Sequence, residues 1–393
     1  MSTTSFAIVI VCYKRIDGIR QLLKSLEVAD YNNCNDITLI FSIDNSGEDT
    51  VIDFAESYNW PHGSKIIRTF EERQGLKKHI LSCGEYTKEY DIVVILEDDV
   101  FVSNSFYNYA CQVVEFYKND DNIAGFSLYS FQKNWLNWSL RFEPQGNGYD
   151  TFFMKIAQSW GQIWTKDKWQ AFIEWYKQNS DFSYNDKLPA SLFRWPTESS
   201  WLKFHIRYCI EMEKYFVYPK IALSSNSSLQ GEHAYDSTNE YQVELVLDKK
   251  EYKFPALNQD AIIYDEYMNR EYLGHYLGIK DEMLTIDFWG NKPKSLYNQF
   301  LLTSKKLDYK IIDEYALALR PIELNIVYGI KGNGIFLYDT TVVEHNNRNN
   351  EFKLFAYSSR MFNHKLILKY GKFLTFNYAK SIGKRLLHKI KNR

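Results

Sequence analysis

The sequence predicts an α/β protein built on a mostly parallel sheet flanked by helices. Phe6–Cys12, Ile37–Ile43 and Ile92–Leu96 are short apolar runs rich in β-branched residues, the pattern of strands covered on both faces. Between them lie amphipathic stretches at helical spacing, such as Ile19, Leu22, Leu23 and Leu26. Strand and helix alternate about every 25 to 30 residues, the rhythm of βαβ units.

In chain order, the Phe6 strand precedes a helix that Asp17 can cap, and the Ile37 strand runs into Asp44-Asn45-Ser46-Gly47. A helix over about Asp49 to Tyr58 and a short strand, Lys65 to Arg68, come next. A helix starting at Gly75 leads into the Ile92 strand. After Asp99 the pattern loosens. Ser105 to Tyr117 reads as a helix, Ile123 to Tyr129 as a strand, and Gln132 to Gly148 as a polar, aromatic loop. Three Trp residues (Trp160, Trp164, Trp169) precede a helix ending near Lys177, and Trp201 to Glu213 is a further helix. The expected division is a first domain over 1–245, an α+β extension over 246–350, and a basic tail over 351–393. Phe376 to Lys391 reads as an amphipathic helix, with Ala379, Ile382, Leu386 and Ile390 on one face.

The 393 residues suffice for two domains. Five scattered cysteines without a CxxC pair read as reduced thiols of a cytoplasmic chain. No signal peptide is visible, and no run reaches the roughly 20 apolar residues of a membrane span. The net charge of −2 conceals a segregation: from Lys353 to the end there are 11 Lys or Arg and no acid, while the rest carries 36 basic against 49 acidic residues. Such a tail suits an anionic surface, and its apolar face favours a membrane over nucleic acid.

The candidate chemistry sits at Glu97-Asp98-Asp99, directly after the Ile92 strand. Three adjacent carboxylates repel one another, and a divalent cation shared with a nucleotide's phosphates would offset that repulsion. The carboxyl end of a buried strand is also where open α/β sheets bind ligands. The other role open to the triplet is a solvated turn capping the next helix at Ser103 or Asn104.

With the Asp-Asn-Ser turn, the Gly75 helix start, the acidic triplet, the Ser159-Trp160-Gly161 block, and Trp201 followed by Pro219 and Asn226, residues 6 to about 235 resemble a GT-A-fold glycosyltransferase. The likeness is to bacterial family 2 enzymes and, more distantly, to the N-acetylglucosaminyltransferases that carry a Glu-Asp-Asp triplet. The resemblance implies that Asp44 contacts the nucleotide base, Asp99 ligates Mn²⁺ or Mg²⁺, and Asp98 and Glu97 contact metal-bound water or ribose. It further implies a diphosphate site at Arg73, Lys77 and Lys78, where a helix N-terminus and cations meet, and a metal or phosphate contact from His233. Trp160 and Trp201 are the expected acceptor contacts. Glu198 is the expected catalytic base, since the position after Trp201, acidic in many relatives, is Leu202.

The expected activity is metal-dependent, inverting transfer from a nucleotide-diphosphate sugar, a UDP-sugar by preference, to a glycan or lipid-linked acceptor. The expected location is the inner face of the cell membrane. Two other classes stay open. A sugar nucleotidyltransferase would open with a Gly-rich loop, where Cys12 to Gly18 has a single glycine. A non-catalytic sugar-binding domain would have no need of the intact triplet. Residues 246–350 leave open an acceptor-binding appendage or a homodimer contact.

Overall fold

The computed structural model describes residues 4–227, 240–258, 260–346 and 351–359, and positions 365, 368, 371, 372, 375, 376, 378–380 and 382. The first half alternates strand and helix as its pattern predicts: β1 (Phe6–Cys12), α1 (Ile16–Glu27), β2 (Ile37–Ile43), α2 (Thr50–Ser57), β3 (Lys65–Thr69), α3 (Gly75–Cys83) and β4 (Ile92–Glu97). Every residue of β1 and β2 is buried. Each fully buried aliphatic side chain there stabilises by about 1.5–3 kcal/mol, which fixes strand order before any loop is considered.

The chain continues through β5 (Val100–Val102), α4 (Phe106–Tyr117), β6 (Ile123–Ser127), a hairpin of β7 (Lys133–Asn134) and β8 (Asn137–Arg141), β9 (Thr151–Met154), β10 (Gln162–Trp164), α5 (Lys166–Gln178), α6 (Leu202–Glu211), β11 (Tyr215–Pro219), β12 (Ser224–Asn226) and β13 (Ile263–Tyr264). Nine of these strands form one sheet in the order β13-β9-β11-β6-β10-β4-β1-β2-β3. The β4-β1-β2-β3 part is parallel, whereas β10 runs antiparallel to β4 and β6, and β9 antiparallel to β11. One apolar cluster lies on each face of the sheet, one centred on Ile8, Ile10 and Phe106, the other on Val9, Trp164 and Phe204.

The expected loop at 132–148 therefore contains a hairpin, and the expected boundary near Leu245 divides a segment that the first body holds together. Beyond Leu245 the chain runs back along α4. The Ser103 hydroxyl donates to the Val246 carbonyl, the Asn104 amide to Asp248, and the Tyr117 hydroxyl to the Pro255 carbonyl. It then adds β13 to the sheet edge. The Tyr252 and Phe254 rings pack on the first core.

The second body contains α7 (Gly274–Leu277), β14 (Leu284–Asp287), β15 (Phe300–Thr303), β16 (Lys310–Tyr315), α8 (Leu324–Val327), β17 (Ile335–Asp339) and α9 (Glu351–Ser359). Its sheet order is β14-β15-β17-β16. In α9, Ala356 and Tyr357 are buried, and Tyr357 donates to the Leu319 carbonyl. Residues 351–359 thus belong to this body rather than to the tail. Farther along, Phe376, Tyr378, Ala379, Lys380 and Ile382 are helical and exposed. Leu386, Ile390 and the basic residues from Lys384 onward lie outside the described residues. No helix among the described residues is long and apolar enough to cross a membrane.

Candidate active site

Parallel register gathers the candidate residues at one edge. Cys12 pairs with Ile43 across β1 and β2, and Val11 pairs with Glu97 across β1 and β4. Tyr13–Arg15, Asp44 and Asp98–Asp99 therefore leave their strands together, at the carboxyl ends where such sheets open a crevice. They line a cavity of about 700 Å³. Its opposite wall is aromatic, built from Phe131, Trp135, Trp138, Trp160, Trp195 and Tyr241.

Asp44 is buried, and its carboxylate accepts the backbone N–H groups of Asn45 (2.9 Å), Gln74 (2.7 Å) and Gly75 (2.9 Å). It thereby holds the start of α3 against the end of β2, satisfying amides that a helix N-terminus leaves unpaired. Gly75 takes φ +71°, a left-handed conformation that favours glycine and lets the chain turn into α3. The Asp-Asn-Ser turn and the Gly75 helix start are thus two ends of one contact.

In the triplet, Arg15 pairs with Asp98 and lies 3.2 Å from Asp99 Oδ2. Asp99 Oδ1 is buried and has no hydrogen-bond partner among the described residues. Burial, followed by the charges of Asp99 and Asp98, pushes the Glu97 carboxyl up to about 8. Burial also raises Asp98 to about 6, with the Arg15 guanidinium opposing it. The segment after Trp201 reaches the same place through β12, which pairs with β5 so that Asn226 faces Val100. The Ser227 amide then donates to the Asp99 carbonyl (2.6 Å). Asn226 lines the cavity as a result.

The donor set suits a hard divalent cation: carboxylate oxygens, one of them buried and unpartnered. Among the described residues no three Asp, Glu, His or Cys side chains converge as a complete metal cage. His233 lies outside the described residues.

Several expected contacts lie elsewhere. In α3, Leu76 and His79 face the cavity at i, i+3 spacing. Lys77 instead donates to the Thr197 carbonyl (3.1 Å) over the Phe204 ring, and Lys78 is exposed. Neither lysine lines the cavity, because the helical turn that buries His79 and Ile80 carries 77 and 78 to its other side. Arg73 does line it, with its guanidinium over the Tyr13 ring. Glu198 is exposed in the loop before α6 and is absent from the cavity wall. Trp201 is buried against Trp164 and His205, a core position. Trp160 is half-buried on the aromatic wall, 4.9 Å from the Tyr129 and Tyr241 rings. It is placed there by Gly161, whose φ of +95° packs the turn onto Leu128.

Three contributors, Arg15, Trp135 and Trp138, carried weak signals in the sequence. Arg15 follows β1, at the sheet edge that the βαβ rhythm already marks. Trp135 and Trp138 sit on the β7–β8 hairpin, which the second body seats: Trp135 donates to the Glu266 carbonyl (2.9 Å), and the Arg141 amide to Ser358 Oγ.

A crevice at the carboxyl ends of parallel strands, with an acidic triplet on one wall and an aromatic wall opposite, defines a GT-A type domain. Residues 7–179 match the family model "Glycosyl transferase family 2". No curated protein matches the chain significantly. Similar solved structures include S. aureus TarS 1–349 in complex with UDP-GlcNAc, 14% identical over 60% of this chain and 62% of that one, with a TM-score of 0.37. Mannosyltransferase PcManGT from Pyrobaculum calidifontis, in complex with GDP-Man and Mn²⁺, is 14% identical over 60% and 59%, with a TM-score of 0.33. GalNAc-T7 with UDP, GalNAc and Mn²⁺ is 11% identical over 56% and 43%, with a TM-score of 0.38. The chain spans about three fifths of the length of the TarS 1–349 structures that it matches.

Proposed function

We propose that the protein transfers a sugar from a nucleotide-diphosphate donor, a UDP-sugar by preference, to a hydroxyl of a cell-surface glycan or lipid-linked acceptor, with inversion. The observation that carries this reading is the single cavity in which Asp44 and the triplet face an aromatic wall. Base and ribose would lie along Tyr13 and Asp44, and the diphosphate near Arg15 and Arg73, whose forked guanidinium groups match phosphate oxygens. The acceptor sugar would stack on Trp160, with Trp138 and Tyr241 beside it.

Asp99, with Asp98, would hold Mn²⁺ or Mg²⁺. Bound there, a divalent cation supplies positive charge against the departing diphosphate. The protein's own part is to hold the donor against β1 and β4 and to bring the acceptor hydroxyl to the sugar from the aromatic side. The gain from such positioning is large when the reacting atoms are held within contact distance.

Thermal shift and calorimetry with nucleoside diphosphates and their sugars, with and without Mn²⁺, test the reading. A shift for one nucleotide family that grows with Mn²⁺ is expected. If no nucleotide stabilises the protein, the proposal fails.

The cytoplasmic location at the inner face of the membrane rests on the tail, whose charged side chains are all Lys or Arg from Arg360 onward. Each basic residue near an anionic surface contributes on the order of 1 kcal/mol. Full-length protein should co-sediment with anionic liposomes at low salt, and a chain ending near Thr375 should not. Equal sedimentation of the two would remove the membrane from the reading.

A further inference from the structure

One guanidinium bridges two members of the triplet. Arg15 Nη2 donates to Asp98 Oδ1 and lies 3.2 Å from Asp99 Oδ2. Asp98 is buried, and Asp99 keeps a second oxygen buried without a partner. The Arg15 side chain itself is 28% exposed and lines the cavity. It stands on the turn between β1 and α1, at the cavity wall. The cation that compensates these acids is therefore attached to a side chain with room to withdraw.

From this geometry we propose that Arg15 is a positioning residue that competes with the divalent cation for Asp98 and Asp99 and turns to the donor diphosphate once the cation is seated. The proposal rests on the nucleotide-sugar reading above. Two cations a few ångströms apart repel strongly in a partly desolvated site. An oxygen that ligates a cation also has less lone-pair density left for a guanidinium. The two occupants accordingly weaken each other at the triplet. A guanidinium is weakly hydrated and presents the same fork to phosphate as to carboxylate, so an arriving diphosphate gives Arg15 a second anion within one cavity. Metal alone then binds weakly, and metal and nucleotide bind synergistically.

The two halves predict changes of opposite sign in one variant. In calorimetry of the nucleotide-free, full-length protein, Arg15→Gln should bind Mn²⁺ roughly tenfold more tightly than wild type, the scale of one charge-assisted contact. At saturating Mn²⁺ the same variant should bind UDP roughly tenfold more weakly. A merely structural role would weaken both. Arg15→Met, which keeps the aliphatic stem, is the second variant if the first does not fold. Mn²⁺ affinity equal to or below wild type overturns the proposal, as does UDP affinity that does not fall. If wild type binds UDP while Mn²⁺ affinity ignores the substitution, the proposal falls and the donor reading stands. If wild type binds no nucleotide at all, both fall.

Discussion

The protein buries two clusters of carboxylates, and they are compensated in opposite ways. At the seam between the two bodies, Asp265 accepts the amides of Tyr267 (2.9 Å) and Asn269 (2.8 Å) and pairs with Lys292 at 2.6 Å. Asp287 accepts the amides of Asn291 and Lys292, while Lys155 lies between Glu213 and Glu271. These acids are engaged by fixed backbone and by lysines, and Asp265 and Asp287 are buried. At the cavity, Arg15 is the cation paired with the triplet, and Asp99 keeps an unpartnered oxygen. Equal acidity thus serves two ends. Acids whose acceptor capacity is filled hold two bodies in register, and acids with capacity left over beside an open cavity are poised for a ligand.

The sharpest test exchanges the two outcomes. Asp99→Ala should lower sugar transfer roughly 10³-fold or more, the scale of losing one charge-stabilising contact in a transition state, with the melting temperature nearly unchanged. Lys292→Met should do the reverse. Removing one partner of a buried ion pair leaves uncompensated charge and costs about 3–5 kcal/mol, read by urea denaturation, while the folded fraction keeps its kcat. A melting loss in Asp99→Ala as large as that in Lys292→Met would erase the distinction.

The same contrast separates two tryptophans that look alike in the sequence. Trp201→Ala empties a core site and should cost about 3–5 kcal/mol. Trp160→Ala should leave stability nearly intact and raise acceptor KM about tenfold, the scale of one lost ring contact. Steady-state kinetics beside thermal melts checks both.

These outcomes also show where sequence reasoning reached and where it stopped. β1, β2 and α3 have the expected bounds because a strand buried on both faces and a glycine-started helix are local patterns. Asp44 and the triplet could be brought together from those patterns, since parallel strands open at one edge. Lys77 and Lys78 lie off the cavity wall because the rotation of α3 depends on which face His79 and Ile80 bury, and the local sequence does not carry that. The Trp135–Trp138 hairpin depends on a seat supplied more than 120 residues later, by Glu266 and Met268, and no local pattern carries that. The return of the chain along α4 was hidden for the same reason: residues 246–258 look irregular, and their hydrogen bonds go to a distant helix.

A third kind of buried titratable group refines the comparison. His205 is buried among Phe172, Trp201 and Phe216, and neither ring nitrogen has a hydrogen-bond partner among the described residues. Burial pushes its pKa down to about 3. The unfolded chain protonates near 6.5 and the folded one near 3, so unfolding takes up a proton between those values. Its contribution to stability is therefore lost progressively as pH falls below 6.5, and levels off near 3. His205→Phe should stabilise the protein at pH 5 relative to wild type by on the order of 1–2 kcal/mol more than at pH 7.5. Urea midpoints at the two pH values measure this. An equal change at both would mean that the ring is not held neutral.

The smallest expected effect belongs to Glu198, and it is informative because it is small. The sequence nominates it as the base, the one carboxylate near the start of α6. The structure leaves that carboxylate exposed, outside the cavity wall that Trp195, Leu202 and Ile206 form around it. A general base must come within hydrogen-bond reach of the hydroxyl it deprotonates, and geometry precedes pKa in that choice. Glu198→Gln is therefore expected to keep kcat within about twofold, against the 10²-fold or greater loss that removing a true base produces. Its donor and acceptor KM should stay at wild-type values. Single-turnover transfer with a UDP-sugar decides the matter. A hundredfold loss of rate with an unchanged melting temperature would return Glu198 to the active site and require the loop before α6 to close over the acceptor.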